Sequence, residues 1–522
     1  MALELPPAKV VLLAVHLAAI ADVDGLGSLV QQHPAVLRRD LVLRILLTHL
    51  PETTRPNRYV SLVERLATAD AIGFTGPASP QELDISSVEG LSDEYAAKKA
   101  RRLHLLPLSI PEAPFATGDD PVIQFVLRRA YRIDEVAGVS QIPYLVVPFA
   151  AHSPGLRTWT VSTVLPLLRR NLEFYPQTQE SYGLAQFEAL SSHSAVAFLL
   201  SETGAHDDNP GSVGRDLRGI IGPWMLGDDR WREVNSKRQS QSDLDLRVVD
   251  GPSSRAWEAV LEWFTSQASQ NWKVADQAVH EWGGPGDIDL GGWDHPGFQG
   301  PRLEYLQRRY ARAIRASAYL VPESTLEALE GAYRMAVKAM ALRGGEDAAD
   351  LQQAVADLPA LHVPGKVREL ATARHAAYIR NDLLSESNPL TASSEAATQL
   401  LYYLILSTFL LTRAGLPWSV KRAGDFALLQ DERDQKAEAI KFLHHVAAQA
   451  PKNNDAYWSR AREELLWLRS WGSDSDPETT SHGVGIFGKL KVEFLETEML
   501  KALLSNTRER PHHLYVSLTT SY

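Results

Sequence analysis

Apolar residues along this chain recur at helical spacing and stop at short polar joints. Val10, Leu13, Ala14 and Leu17 fall at i, i+3, i+4 and i+7, which places them on one face of a helix with 3.6 residues per turn. Leu43, Leu46, Leu47 and Leu50 repeat the pattern. Asp22, Asp24, Gly25 and Gly27 cut the chain between the two stripes. Pro34 suits the first turn of the second helix, where its missing N–H would find no partner anyway. Helices this short cannot bury their stripes alone, so residues 8–50 must stack on neighbours.

The same reading predicts those neighbours. A helix over 56–66 carries Tyr59, Leu62, Val63 and Leu66 on one side, and another covers 91–105. A helix over 121–135 is closed by Gly138, as glycine commonly closes helices. Helices follow over 139–151 and 156–174, with Pro166 expected to kink the latter by deleting a donor and crowding the preceding turn. Further helices are predicted over 191–202, 256–272, 302–319, 322–342, 366–384, 393–412, 429–449, 455–471 and 487–504. Segments 73–90, 206–211, 239–247 and 283–300 are polar or glycine-rich and read as loops. No β period intervenes, and no fixed repeat length of the tetratricopeptide or ankyrin kind is present. The expected fold is all-α, an irregular α-solenoid of stacked helical hairpins.

Composition narrows this picture. At 522 residues the chain exceeds the size of one compact core, which fits a stacked array. A net charge of -11 argues against a broad hold on nucleic acid or anionic lipid, since both need a basic face. The local cluster Lys98, Lys99, Arg101 and Arg102 reads as a solvated helix face rather than a phosphate site. There are no cysteines, so disulfides, thiolate metal sites and cysteine nucleophiles drop out. The apolar run 10–21 ends in Ala19-Ile20-Ala21 and imitates a signal-peptide core. Glu4, the single cation Lys9 and the interrupting His16 favour a first solenoid helix instead. The run 400–411 falls short of the roughly 18 to 20 apolar residues of a bilayer span and reads as a buried central helix.

Candidate chemistry is sparse. His444 and His445 are adjacent and so diverge on a helix, whereas a zinc pair on one face wants i, i+4; the same holds for His512 and His513. His206, Asp207 and Asp208 carry ligand-type side chains in a loop without a helper motif. The glycine-rich 283–300 segment lacks a Walker pattern, and Asp287 and Asp289 would repel a phosphate. No nucleophile elbow or H-E-x-x-H motif is present. Trp257, Trp263, Trp272 and Trp282 gather around one helical pair and Trp458, Trp467 and Trp471 around another; at helical spacing these read as core. No catalytic, cofactor-binding or metal residue is assigned, and an enzyme is not expected.

Several phrases together carry a resemblance: LLAVHLA and LRRDLVLRILLTHLPET near the N-terminus, RRLHLL at 101–106, and YRIDEVAG with LRTWTVSTVLPLLRRNLEFYP at 131–176. VLEWFTSQA, GGPGDIDLGGW, RRYARAIRASAYLVPE, and ARAREELLWLRSWG with GIFGKLKVEFLETEMLKALL continue it. They resemble the fungal Sec-thirty-nine family of secretory-pathway proteins, the counterpart of the animal neuroblastoma-amplified-sequence protein. The resemblance covers 1–506 and implies an α-helical, non-enzymatic subunit of the Dsl tethering complex on the cytoplasmic face of the endoplasmic reticulum (ER). Such a subunit captures COPI vesicles in retrograde Golgi-to-ER transport. It binds the central Dsl subunit and the N-terminal domain of an ER SNARE, attaches to membrane indirectly, and has no nucleic-acid partner. The alternative is an α-solenoid scaffold of another assembly, such as a coat or nuclear pore component. Residues 507–522 lose the amphipathic period and read as a divergent tail of a truncated or mispredicted gene, from which poor solubility of the isolated chain is expected.

Overall fold

The computed structural model describes residues 5–68, 83–110, 113–115, 117–205, 211–227, 255–342, 350–361, 383–386, 388–392, 394–452, 454–473 and 483–506. Among the described residues there is no strand; every regular element is helical. The fold is all-α, of the irregular α-solenoid type. The helix expected over 366–384 lies almost wholly outside these residues, as do segment 239–247, most of 73–90, and the tail 507–522. The chain divides into two compact units. One comprises Met1–Glu202, Asp216–Ala256 and Ile288–Gly297, the other Thr203–Arg215, Trp257–Asp287 and Phe298–Tyr522.

The first unit opens with α1 (Pro7–Ala19), α2 (Val23–Gln32), α3 (Arg39–His49) and α4 (Val60–Thr68). It continues with α5 (Ser86–Glu89), α6 (Asp93–Arg101), α7 (Pro121–Ala137) and α8 (Ile142–Ala150). Helix α1 packs on α2, α3 and α6, α3 on α7, and α7 on α8. Each expected stripe faces inward: Val10, Leu13 and Ala14 are fully buried, as are Leu43, Leu46 and Leu47, and Tyr59 and Val63. The Asp22 carboxylate caps α2 by accepting the Gly25 N–H at 3.0 Å. Gly138 ends α7 with φ +68°, a conformation that costs a residue without Cβ little.

Pro34 does not start α3. The Leu37 N–H returns to His33 O at 3.0 Å in a single isolated turn, and Arg38 is then extended (ψ 152°) before the helix begins at Arg39. Proline is equally suited to such a turn, since both uses need only its fixed φ. Farther on, one helical run alternates between α and π geometry, through Pro154–Trp159 (α), Thr160–Val164 (π), Leu165–Leu168 (α) and Arg169–Phe174 (π). Pro166, where the sequence predicts a kink, is the second residue of the α segment between the two π segments. The Leu165 N–H reaches five residues back to Thr160 O, and the wider turn eases the crowding a proline ring imposes on the turn before it.

The second unit takes α9 (Arg255–Gln270) from Trp257 onward, then α10 (Trp272–Glu281), α11 (Gly300–Leu320), α12 (Leu326–Ala341) and α13 (Glu395–Arg413). α14 (Val420–Leu429), α15 (Glu432–Gln449), α16 (Asp455–Ser470) and α17 (Val492–Asn506) follow. Helix α12 packs on α10, α11 and α13, and α17 on α15 and α16. The run 400–411 lies within α13 and is buried on nearly every face, with Leu404, Ile405, Leu406 and Leu411 fully enclosed. The helix expected over 429–449 is α15; α14 before it was not expected, and the chain breaks between the two at Gln430, which adopts the left-handed conformation at φ +50°. Its amide Nε2 donates to Ala427 O and Gly485 O, each at 2.9 Å, and these bonds hold a conformation that side chains seldom adopt.

The tryptophans form core. Trp257, Trp272, Trp282, Trp458, Trp467 and Trp471 are buried, and Trp263 is half-buried with its ring edge-on to Phe264. Trp282 lies 5.1 Å from Tyr310 and 6.0 Å from Phe264, centroid to centroid, and its indole N–H donates to Asp287 O at 2.8 Å. A buried indole thus keeps its one donor satisfied.

A second device recurs in both units. Helix C-termini and the connections after them leave carbonyls without partners, and arginines reach through the core to supply donors. In the first unit Arg129 of α7, fully buried, donates to Leu50 O at 2.9 Å and Pro51 O at 2.6 Å, closing the end of α3. Its guanidinium lies over the Tyr59 ring at 5.5 Å. Arg170 donates to Phe198 O at 3.2 Å and stacks on the Phe198 ring; burial depresses its pKa, opposed by Glu202 among others. In the second unit Arg315 donates twice to Thr391 O, and Arg469 donates to Leu490 O at 2.7 Å. Arginine suits this work because its stem packs with apolar neighbours while its planar head carries five donors.

Candidate interaction surface

The loop 283–300 turns its polar groups on itself and on its core. Within the second unit, the Gly283 N–H donates to the Asp287 carboxylate at 2.9 Å. Gly284 holds φ +89° so close to Tyr310 that a Cβ would sit 2.6 Å from the ring. Within the first unit, Arg169 donates to Asp289 O at 2.7 Å and to the Asp289 carboxylate at 3.0 Å. The Gly291 N–H donates to the same carboxylate at 2.9 Å. The Gly283 and Gly291 amides therefore face carboxylates and not a phosphate.

His444 and His445 are both exposed on α15. Among the described residues no group of three histidine, aspartate or glutamate side chains is placed to hold a metal ion. His206, Asp207, Asp208, His512 and His513 lie outside the described residues. Lys98, Lys99, Arg101 and Arg102 are exposed at the C-terminal end of α6, as the sequence suggests for a solvated face.

A titratable contact not singled out in the sequence joins α10 to α12. Asp276 accepts from Arg334 Nη2 at 2.5 Å and lies 3.2 Å from His280 Nδ1, one turn along its own helix. The hydrogen bond to Asp276 raises the His280 pKa above 6.5, against burial and the Arg334 charge. A raised histidine pKa contributes stability that is complete below the unfolded value and is lost as pH rises through the folded one. Hydrogen exchange over α10 and α12 should therefore accelerate as pH climbs from about 6 to 8, after correction for intrinsic exchange, and His280→Gln should abolish that excess. An equal pH response in the variant would remove His280 from the account.

Among the described residues, α8 carries an exposed apolar face. The sequence Ile142–Ala150 (IPYLVVPFA) contains no charge, and on a helix at the edge of a stack only one side can turn inward. Ile142, Leu145, Val146 and Phe149 do so, leaving Tyr144 64% and Val147 54% exposed one turn apart. Val136, in the last turn of α7, is 57% exposed. The signal was present in the sequence as a helix apolar all round.

These observations define a class: an all-helical protein of solenoid type, whose notable surface features among the described residues are helix faces. Among the described residues no helix is long and apolar enough to cross a membrane. Over residues 11–518 the chain matches the family described as Secretory pathway protein Sec39, and it belongs to that family. Membership places it in the secretory pathway, in transport between the ER and the Golgi. No curated protein sequence matches it individually.

Proposed function

We propose that this chain is a non-enzymatic helical subunit of an ER-associated vesicle tethering complex acting in retrograde, COPI-dependent Golgi-to-ER transport. Its partners in this reading are the central Dsl tether subunit and the N-terminal domain of an ER SNARE, and it meets the cytoplasmic face of the ER through them. The observation that carries the reading is the family match across 11–518, nearly the whole chain. The helical stack is suited to the role, because exposed helix faces such as that of Tyr144 and Val147 offer apolar area for a partner helix without rearrangement of the core.

Reconstitution tests this directly. The purified chain should co-elute in size-exclusion chromatography with the recombinant SNARE N-terminal domain and with the central Dsl subunit. Failure of both, together with recovery of coat or nuclear pore subunits from lysate, would assign the chain to a different assembly.

A further inference from the structure

Helix α6 carries a surface whose charge opposes that of the chain as a whole. From Tyr95 to Ile110 there is no acidic residue, although the protein has a net charge of -11. Tyr95, Lys98, Lys99 and Arg102 follow one another at i, i+3, i+4 and i+7, so they share a face, with Arg101 beside them. All five are exposed, Tyr95 to 55%. The chain then leaves the helix with His104 exposed and Leu103 and Leu105 half-buried. None of the four Lys or Arg side chains has a carboxylate partner among the described residues.

Cations at a helix C-terminus compensate the macrodipole, but that effect fades within one turn and does not need four of them. The segment after the helix is also fixed in place. Arg44 donates to Leu105 O at 2.8 Å and Leu106 O at 3.1 Å, and the Leu106 N–H donates to Thr48 Oγ1 at 3.0 Å. The basic residues and the leucines therefore belong to one pre-formed surface anchored on α3.

We propose that this surface docks a short acidic segment of a protein partner, with carboxylates meeting Lys98, Lys99, Arg101 and Arg102 and interspersed apolar side chains meeting Tyr95, Leu103 and Leu105. Its dimensions select a peptide over a membrane. The helical part, Tyr95 to Arg102, is about 10 Å long, and the exposed Asp93 and Glu94 border it on the same helix. A planar anionic bilayer would also face those two carboxylates; a peptide need meet only the cations.

This inference rests on the proposed function only in taking the partner to be a protein, and its test reads the surface alone. The probe is a fluorescein-labelled peptide of alternating aspartate and leucine, followed by anisotropy against the full chain, with a lysine-for-aspartate peptide as control. Saturable binding of the acidic peptide alone is expected. The fourfold change K98Q/K99Q/R101Q/R102Q should weaken it about tenfold or more, with unchanged circular dichroism because all four side chains are exposed and glutamine adds no charge against the helix dipole. The change K436E/K452E in the second unit should leave it intact. Absence of binding, equal binding by the fourfold variant, or an effect of that variant only on sedimentation with phosphatidylserine vesicles overturns the proposal. Failure to co-elute with Dsl or SNARE subunits leaves the peptide result standing, so the two readings can fail separately.

Discussion

Replacing Arg129 with alanine is expected to destabilise the first unit by about 3 kcal/mol. The side chain is fully buried, and its loss orphans the buried Leu50 O and the part-buried Pro51 O, besides removing the cation over Tyr59. Arg129→Met should recover the packing share and none of the hydrogen bonding, so its cost should fall between wild type and alanine. The readout is hydrogen exchange over 39–66 in increasing urea. Two units in one chain need not unfold as one, and a local probe isolates the one concerned. Protection in the last turn of α3 should go first. A variant with wild-type protection there would show that the carbonyls are satisfied some other way.

The second large effect lies in α1. Leu13 is fully enclosed where α1 meets α2, α3 and α6. Leu13→Asp should cost on the order of 3 kcal/mol, since the new carboxylate must be buried without a partner or protonated. Ile20, at the end of the same helix and 58% exposed, provides the control: Ile20→Asp should change stability by less than about 0.5 kcal/mol. Thermal melts of the two variants that coincide would mean that the register of α1 is wrong.

The register of α1 was readable from spacing because local periodicity and burial are two views of one requirement. Val10, Leu13 and Ala14 had to share a side, and a helix with one apolar side turns it inward. The same logic located α13, where the lack of a polar face implied enclosure. What escaped was decided by contacts distant in sequence. The break at Gln430 depends on Gly485 O, 55 residues on, and nothing in the local sequence around 429–431 marks a left-handed residue. Nothing in the sequence separates Arg129 from its neighbours Arg128 and Arg132; the end of α3, packed against it, sets its role. The candidate surfaces were legible as composition and illegible as surfaces. Both the α6 cations and the uncharged α8 stretch stand out along the chain, but only the packing shows that Tyr95, Tyr144 and Val147 remain outside.

The arginine ties also bear on how such a chain can change over evolutionary time. Arg129, Arg170, Arg315 and Arg469 each donate to main-chain carbonyls. A carbonyl is offered equally by whatever residue occupies the position, so the accepting side of each tie places no demand on residue identity. Substitutions can accumulate at the acceptor positions while the donor stays fixed, and insertions are tolerated wherever a helix end still presents an oxygen. A scaffold stitched in this way can diverge freely in sequence and lose any visible period while its helices keep their neighbours.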